Sequence, residues 1–180
     1  MVELSPKLFY HGFEHVENVL DAAREIGESE YLSPPEWDIL NTAILLHDSG
    51  FMHVYKNHEE EGCAIAEKLL PNYKYSRESI EIVKGIIMAT KIPQRPKNKL
   101  ERIIADADLF HLGSDNFAEV SEKLYLELSG FDLIADKTVW LRSQISFLNQ
   151  HIYFTEYCRT HKSSKKEANL ELLREQLIAV

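Results

Sequence analysis

Apolar residues recur every three or four positions along most of the chain, the period of a helix with one buried face. Between 13 and 30 the repeating set is Val16, Val19, Leu20, Ala23 and Ile26. Ser33-Pro34-Pro35-Glu36 then reads as a helix start, with Ser33 placed to cap and proline in the first turn. The helix it opens runs through Trp37, Leu40, Ala43, Ile44 and Leu46 to Gly50, a natural stop. The same period predicts helices over 57–70, 76–90, 98–112 and 116–128. Turn-forming pieces separate them: Pro71-Asn72, Pro93-Gln94-Arg95-Pro96, Gly113 and Gly130. A long helix is predicted over 136–161 and a charged one over 165–179. The stretch "HIYFTEYC" is β-prone in composition but keeps the helical period. Alternating strand patterns are scarce, and no repeat or low-complexity linker interrupts the chain. The expectation is an all-α, single-domain helical bundle over 1–180.

Composition narrows the function classes. The chain has 180 residues, 44% of them hydrophobic, and a formal charge of −9. That is enough apolar material for a substantial core. The acidity argues against a nucleic-acid polymer as partner, which would need a basic stripe. It leaves room for a small anionic ligand, because a bound metal reverses the local potential. Cys63 and Cys158 provide no disulfide framework and no CxxC pair. No signal peptide and no membrane-length apolar run is visible, so a cytoplasmic protein with no membrane partner is expected.

The histidines matter by position. "AILLHDSGF" ends the most hydrophobic helical stretch with His47 beside Asp48, two groups that are costly to bury without partners. His11 and His15 are four apart and share a face if their helix begins early enough. His58 and Glu59 open the next helix, and Asp106 and Asp108 sit in the apolar segment "IIADADLFHLG". Each alone has an ordinary reading, as a satisfied core histidine or a helix cap. Together, imidazoles and carboxylates at several buried helix positions form the donor set of a divalent transition metal.

The ordered set His15, His47-Asp48 and Asp108 resembles the H…HD…D signature of the HD superfamily of metal-dependent phosphohydrolases. The resemblance covers roughly the first two-thirds of the chain. "YHGFEHVENV" resembles the YHNxxHxxxV segment of cyclic-nucleotide phosphodiesterases, which belong to that superfamily. "ADLFHLG" resembles the segments that supply the last aspartate. With "NHEEEG", "IIMATKIP" and "FLNQHIYFTEY", the whole chain is similar to small bacterial HD proteins. The resemblance implies a bundle of the HD/phosphodiesterase type, with a metal-site core at about 8–130 and C-terminal helices at about 135–180 packed on it.

It also implies site residues. His15, His47, Asp48 and Asp108 would be metal ligands, with Asp106 an alternative register for the last. His11 matches the histidine that protonates the leaving oxygen, although Gly12 replaces the asparagine that follows it. Asp48 is placed to accept a proton or bridge to a second ion, and His58 to contact that ion or a phosphate. The implied cofactor is a divalent ion: Mn, Fe, Co, Ni, Zn or Mg. The implied activity is hydrolysis of a small phosphoester, a nucleotide or cyclic nucleotide, by metal-activated water. Two alternatives share the scaffold. One is a non-catalytic nucleotide-binding regulatory module. The other, a diiron oxygenase, is disfavoured because 59–104 contains no histidine.

Other residues carry weaker expectations. Lys91 is a candidate phosphate contact or a solvated lysine. His151 is assigned to packing or to the pocket wall, and His111 and His161 to structural or exposed positions. The lysines of 162–166 read as a solvated helix start. The apolar positions of the last helix, Leu170, Leu173, Leu177 and Ile178, could pack in cis or form a homodimer.

Overall fold

The helical period of the sequence becomes helices whose apolar stripes face one another. The computed structural model describes residues 5–179, and among them it contains nine α-helices, three short 3-10 turns and no strand. The helices are α1 (Phe13–Ser29), α2 (Pro34–Leu46), α3 (His58–Leu69), α4 (Arg77–Met88), α5 (Lys99–Asp108), α6 (Phe117–Gly130), α7 (Lys137–Gln150), α8 (Glu156–His161) and α9 (Ser163–Ile178). The fold is all-α.

The larger core joins α1 to α5. Val19, Ala22, Ala23 and Ile26 of α1 pack with Leu40, Ala43 and Ile44 of α2, Val83, Ile86 and Ile87 of α4, and Ile103 and Ile104 of α5. Burying each large aliphatic side chain contributes about 1.5–3 kcal/mol, so this seam dominates the stability of the N-terminal half. A second, smaller cluster holds Leu112, Phe117, Leu141, Leu148, Leu170 and Leu173. Leu170 and Leu173 of the last helix are therefore buried within the chain, whereas Ile178 is exposed. Several starts follow the sequence signals. Asn98 accepts the Glu101 N–H at 3.0 Å, Asp136 accepts that of Val139 at 2.8 Å, and the Ser33 N–H donates to the Glu36 carboxylate at 2.8 Å.

Three predicted helices end early. The helix expected to reach Gly50 stops at Leu46, and a 3-10 turn, Ser49–Met52, follows. A Cβ at Gly50 would lie 2.0 Å from the His58 carbonyl oxygen, so the chain turns where the start of α3 crosses it. The helix expected over 98–112 stops at Asp108 and gives way to a 3-10 turn, Phe110–Gly113.

The long helix expected over 136–161 is two helices separated by an extended break. The cause is the fully buried Asp106. Its carboxylate accepts the backbone N–H of Phe154 at 2.9 Å and that of Thr155 at 2.8 Å, together with the Thr155 hydroxyl at 2.6 Å. Those N–H groups cannot also serve a continuous helix, so "HIYF" is extended and Thr155 becomes the cap of α8, accepting from Cys158 N at 3.2 Å. Asp106 thus ties the C-terminal third of the chain to α5.

Truncating Asp106 would strand buried donors, each costing about 1–3 kcal/mol. Asp106→Ala should lower the unfolding free energy in urea by about 3 kcal/mol, and Asp106→Asn, which still accepts, by less than half of that.

Candidate metal centre

The turns described above aim the side chains. Because α2 ends at Leu46, His47 and Asp48 leave the helix and point beneath α1 and α5. His47 is fully buried, and its Nδ1 donates to the Ile44 carbonyl at 2.7 Å. That bond places the proton on Nδ1 and leaves the Nε2 lone pair facing inward. His15, on the buried side of α1, brings its Nε2 to 3.3 Å from His47 Nε2. Asp48 Oδ2 lies 3.4 Å from His15 Nε2 and 3.3 Å from His47 Nε2. Asp108, the last residue of α5, puts Oδ1 at 3.1 Å from His15 Nε2 and 3.8 Å from His47 Nε2.

These atoms fit a cation. Ligand bonds of about 2.1 Å would set neighbouring donor atoms about 3.0–3.4 Å apart, close to the spacings observed. Asp48 Oδ2 is buried without a hydrogen-bond partner in the protein. The His15, His47 and Asp48 donor atoms all lie within 4.8 Å of one another. Burial alone would depress the His47 pKa, but the Asp48 and Asp108 carboxylates push it up to about 9. Burial works against the Asp48 charge as well, yet the flanking imidazoles hold its carboxyl well below the usual range. The cluster therefore draws positive charge, from a proton or from a metal ion.

The two aspartates of α5 separate by geometry. Two residues apart on a helix, they point in different directions. Asp108 faces the cluster, while Asp106 faces 154–155.

A second constellation flanks the first. His11 Nδ1 pairs with Glu127 of α6, which is fully buried. The same carboxylate accepts Tyr10 N at 2.8 Å, His11 N at 3.1 Å and the Tyr55 hydroxyl at 2.9 Å. Burial opposes the charged form of both partners. The hydrogen bond between them prevails, so the His11 pKa is raised and that of Glu127 lowered. The Phe51 ring stacks on both His11 and His58, with centroids at 4.2 and 3.9 Å. His58 Nε2 lies 3.6 Å from Asp48 Oδ1 and 3.6 Å from Glu59 Oε1. His11, Phe51, Tyr55, His58 and Glu59 open onto one cavity of about 460 Å³, which Tyr10, Asp48, Asp108 and His111 also line, while Glu127 stays buried behind it.

The candidates divide accordingly. His11, His15, His47, Asp48, His58 and Asp108 converge at this one place. Lys91 lines a separate groove and is paired with Glu60. His151 is not helical and lines another cavity beside Phe147 and Phe154. His111, expected to be structural or exposed, lines the site instead. Burial lowers its pKa to about 4, which keeps it neutral. Glu127, Tyr55 and the contribution of Tyr10 went unrecognised in the sequence. Only the tertiary contact identifies Glu127, which lies 116 positions from His11.

Comparisons with known proteins identify the family. The family model described as "HD domain" matches residues 12–113, more than half of the chain. An uncharacterized protein of Clostridium beijerinckii is 34% identical over 89 residues, which are 48% of this chain and 56% of that protein. The chain thus spans little more than half the length of this curated relative. The crystal structure of a predicted HD superfamily hydrolase from an uncultured Thermotogales bacterium aligns with a TM-score of 0.60. That alignment covers 94% of this chain and 81% of the other at 21% identity, a likeness of fold. With the family model spanning the elements that carry His15, His47, Asp48 and Asp108, the chain belongs to the HD-domain family.

Proposed function

We propose that the protein is a metal-dependent phosphohydrolase acting on a small phosphoester, with nucleotides and cyclic nucleotides within the class. The observation that carries this reading is the convergence of two buried imidazoles and two carboxylates, with both carboxylates and a separately oriented histidine, His11, lining one cavity. His15, His47, Asp48 and Asp108 would hold a divalent ion. Such an ion supplies a nucleophilic water at neutral pH and polarises the phosphoryl group.

The remaining steps belong to the chain. Asp48 Oδ1, turned towards His58 rather than towards the other ligands, is placed to take a proton from the attacking water. His11 donates a proton to the departing oxygen from Nε2, because Nδ1 is committed to Glu127. Glu127 acts through His11. It fixes the ring plane and favours the protonated form of the ring, while Tyr55 and two backbone N–H groups hold the carboxylate itself. Phe51 stacks on both His11 and His58, whose rings are tilted 44° to each other, and shields both from water on one side.

Gently purified protein should carry close to one equivalent of a divalent transition metal by elemental analysis. His47→Ala and Asp48→Ala should lose it while keeping their helical circular dichroism. Metal-free wild type after reconstitution with Mn, Co, Ni, Fe and Mg in turn would overturn the reading. So would the absence of turnover across a broad phosphoester panel by the loaded protein.

The acid has its own signature. His11→Gln should lower kcat by about 10²–10⁴-fold on alkyl phosphates and much less on p-nitrophenyl phosphate, whose leaving oxygen needs no proton. Glu127→Gln should leave metal content unchanged and move the alkaline limb of the kcat profile to lower pH, since the group that raises the His11 pKa is gone. An unchanged profile would remove Glu127 from this role.

A further inference from the structure

The cavity that opens onto the cluster has two chemically different ends. At one end stand Asp48, Glu59, Asp108 and the histidines. The other end is built from Leu109, Leu112, Leu124, Leu128, Trp140 and Phe147. Among the described residues that line it, none is lysine or arginine.

This wall constrains what binds. The charges of Asp48 and Asp108 equal that of one divalent ion, so a metal there leaves little net positive charge for additional phosphates. Glu59, buried in the same wall, would repel them. The nearby lysines are directed elsewhere. Lys91 is tied to Glu60, and Lys84, at 3.3 and 3.0 Å, to Glu67 and Glu81, both in a separate groove.

The polar groups of the wall are mostly engaged within the protein. Ser143 donates to the Val139 carbonyl at 2.9 Å, Thr90 to that of Ile87 at 2.8 Å, and Tyr55 to Glu127 at 2.9 Å. The Gln144 carbonyl accepts from Ser121 at 2.7 Å. Tyr10, whose ring lies 4.5 Å from that of His15, and Glu59, 3.6 Å from His58, belong to the cluster end. On α7 that leaves the Gln144 amide and the Trp140 indole N–H, the latter buried without a partner. Two donors can serve one acceptor but not the ring of hydroxyls on a sugar. A sugar placed here would lose hydration that the wall does not replace.

Taking the phosphohydrolase reading as given, we propose that the substrate carries a single phosphoryl group on an uncharged, largely apolar organic group, which occupies the leucine–tryptophan end of the cavity. Within the phosphoester class proposed above, polyphosphates and sugar phosphates, nucleotides among them, are then the poor substrates. A volume of about 460 Å³ is that of a small-molecule site and holds such a group whole.

The test compares hexyl phosphate, glucose 6-phosphate and ATP with the metal-loaded full chain. The first two have six carbons each and similar alcohol leaving groups, so their kcat/KM ratio reports the wall rather than the chemistry. Hexyl phosphate should lead by about tenfold or more, the range that apolar pocket contacts deliver. ATP should do no better than glucose 6-phosphate. Equal ranking, or a lead for ATP or the sugar phosphate, would overturn the proposal while leaving the hydrolase reading intact. If no ester is turned over, the hydrolase reading fails by itself, and calorimetry still reads the pocket. Hexylphosphonate should bind the metal-loaded protein about tenfold more tightly than methylphosphonate, and equal affinities would refute the apolar subsite. Leu124→Arg, on the cavity face of α6, should narrow the gap between hexyl phosphate and ATP, and an unchanged gap would count against the wall as its cause.

Discussion

Two imidazoles and two carboxylates gathered under an aliphatic core demand a positive charge, and much of the fold serves to hold them there. The electrostatic cost of leaving Asp48 buried without a counter-ion would exceed what several leucines contribute. The protein accepts that cost by drawing the four donors from three elements. His15 comes from α1, His47 and Asp48 from the turn after α2, and Asp108 from the end of α5. The tight seam between α1, α2, α4 and α5 sets the distances between those donors. A loosened core would therefore be felt first at the cluster, where the alternative to a bound cation is a trapped proton.

The helices and their apolar faces were legible because the 3.6-residue period is a local property of the chain. The turns that give the site its shape were less so. Nothing in "LLHDSG" announces that the helix must stop at Leu46. That follows from the close approach of His58 to Gly50, which only the folded chain creates. The break at 151–155 was hidden for the same reason. The periodicity of "HIYFTEYC" is helical, and a carboxylate 48 positions away overrides it. Asp106 and Asp108 illustrate both sides. Their spacing indicates that only one can face a given point and the family resemblance favours Asp108, but what Asp106 does instead depends on what lies on the other side of α5.

The supporting residues were harder still. Glu127 has the sequence character of a solvated acid on a helix face, yet it is fully buried and holds His11. Its importance arises from contacts over more than a hundred positions of chain. His111, assigned from the sequence to a structural or exposed position, lines the cavity. Residues that touch each other across the chain leave no periodic trace.

The order of these elements along the chain has a consequence during synthesis. All four cluster donors emerge by residue 108, but the carboxylate that orients His11 arrives at 127, and the backbone groups that occupy Asp106 arrive at 154–155. The residues of the cluster are thus all made before the carboxylate that holds His11 and before the backbone that clamps Asp106 of α5 from behind. The donor set and its two supports are separated in synthesis by roughly the length of α6 and α7.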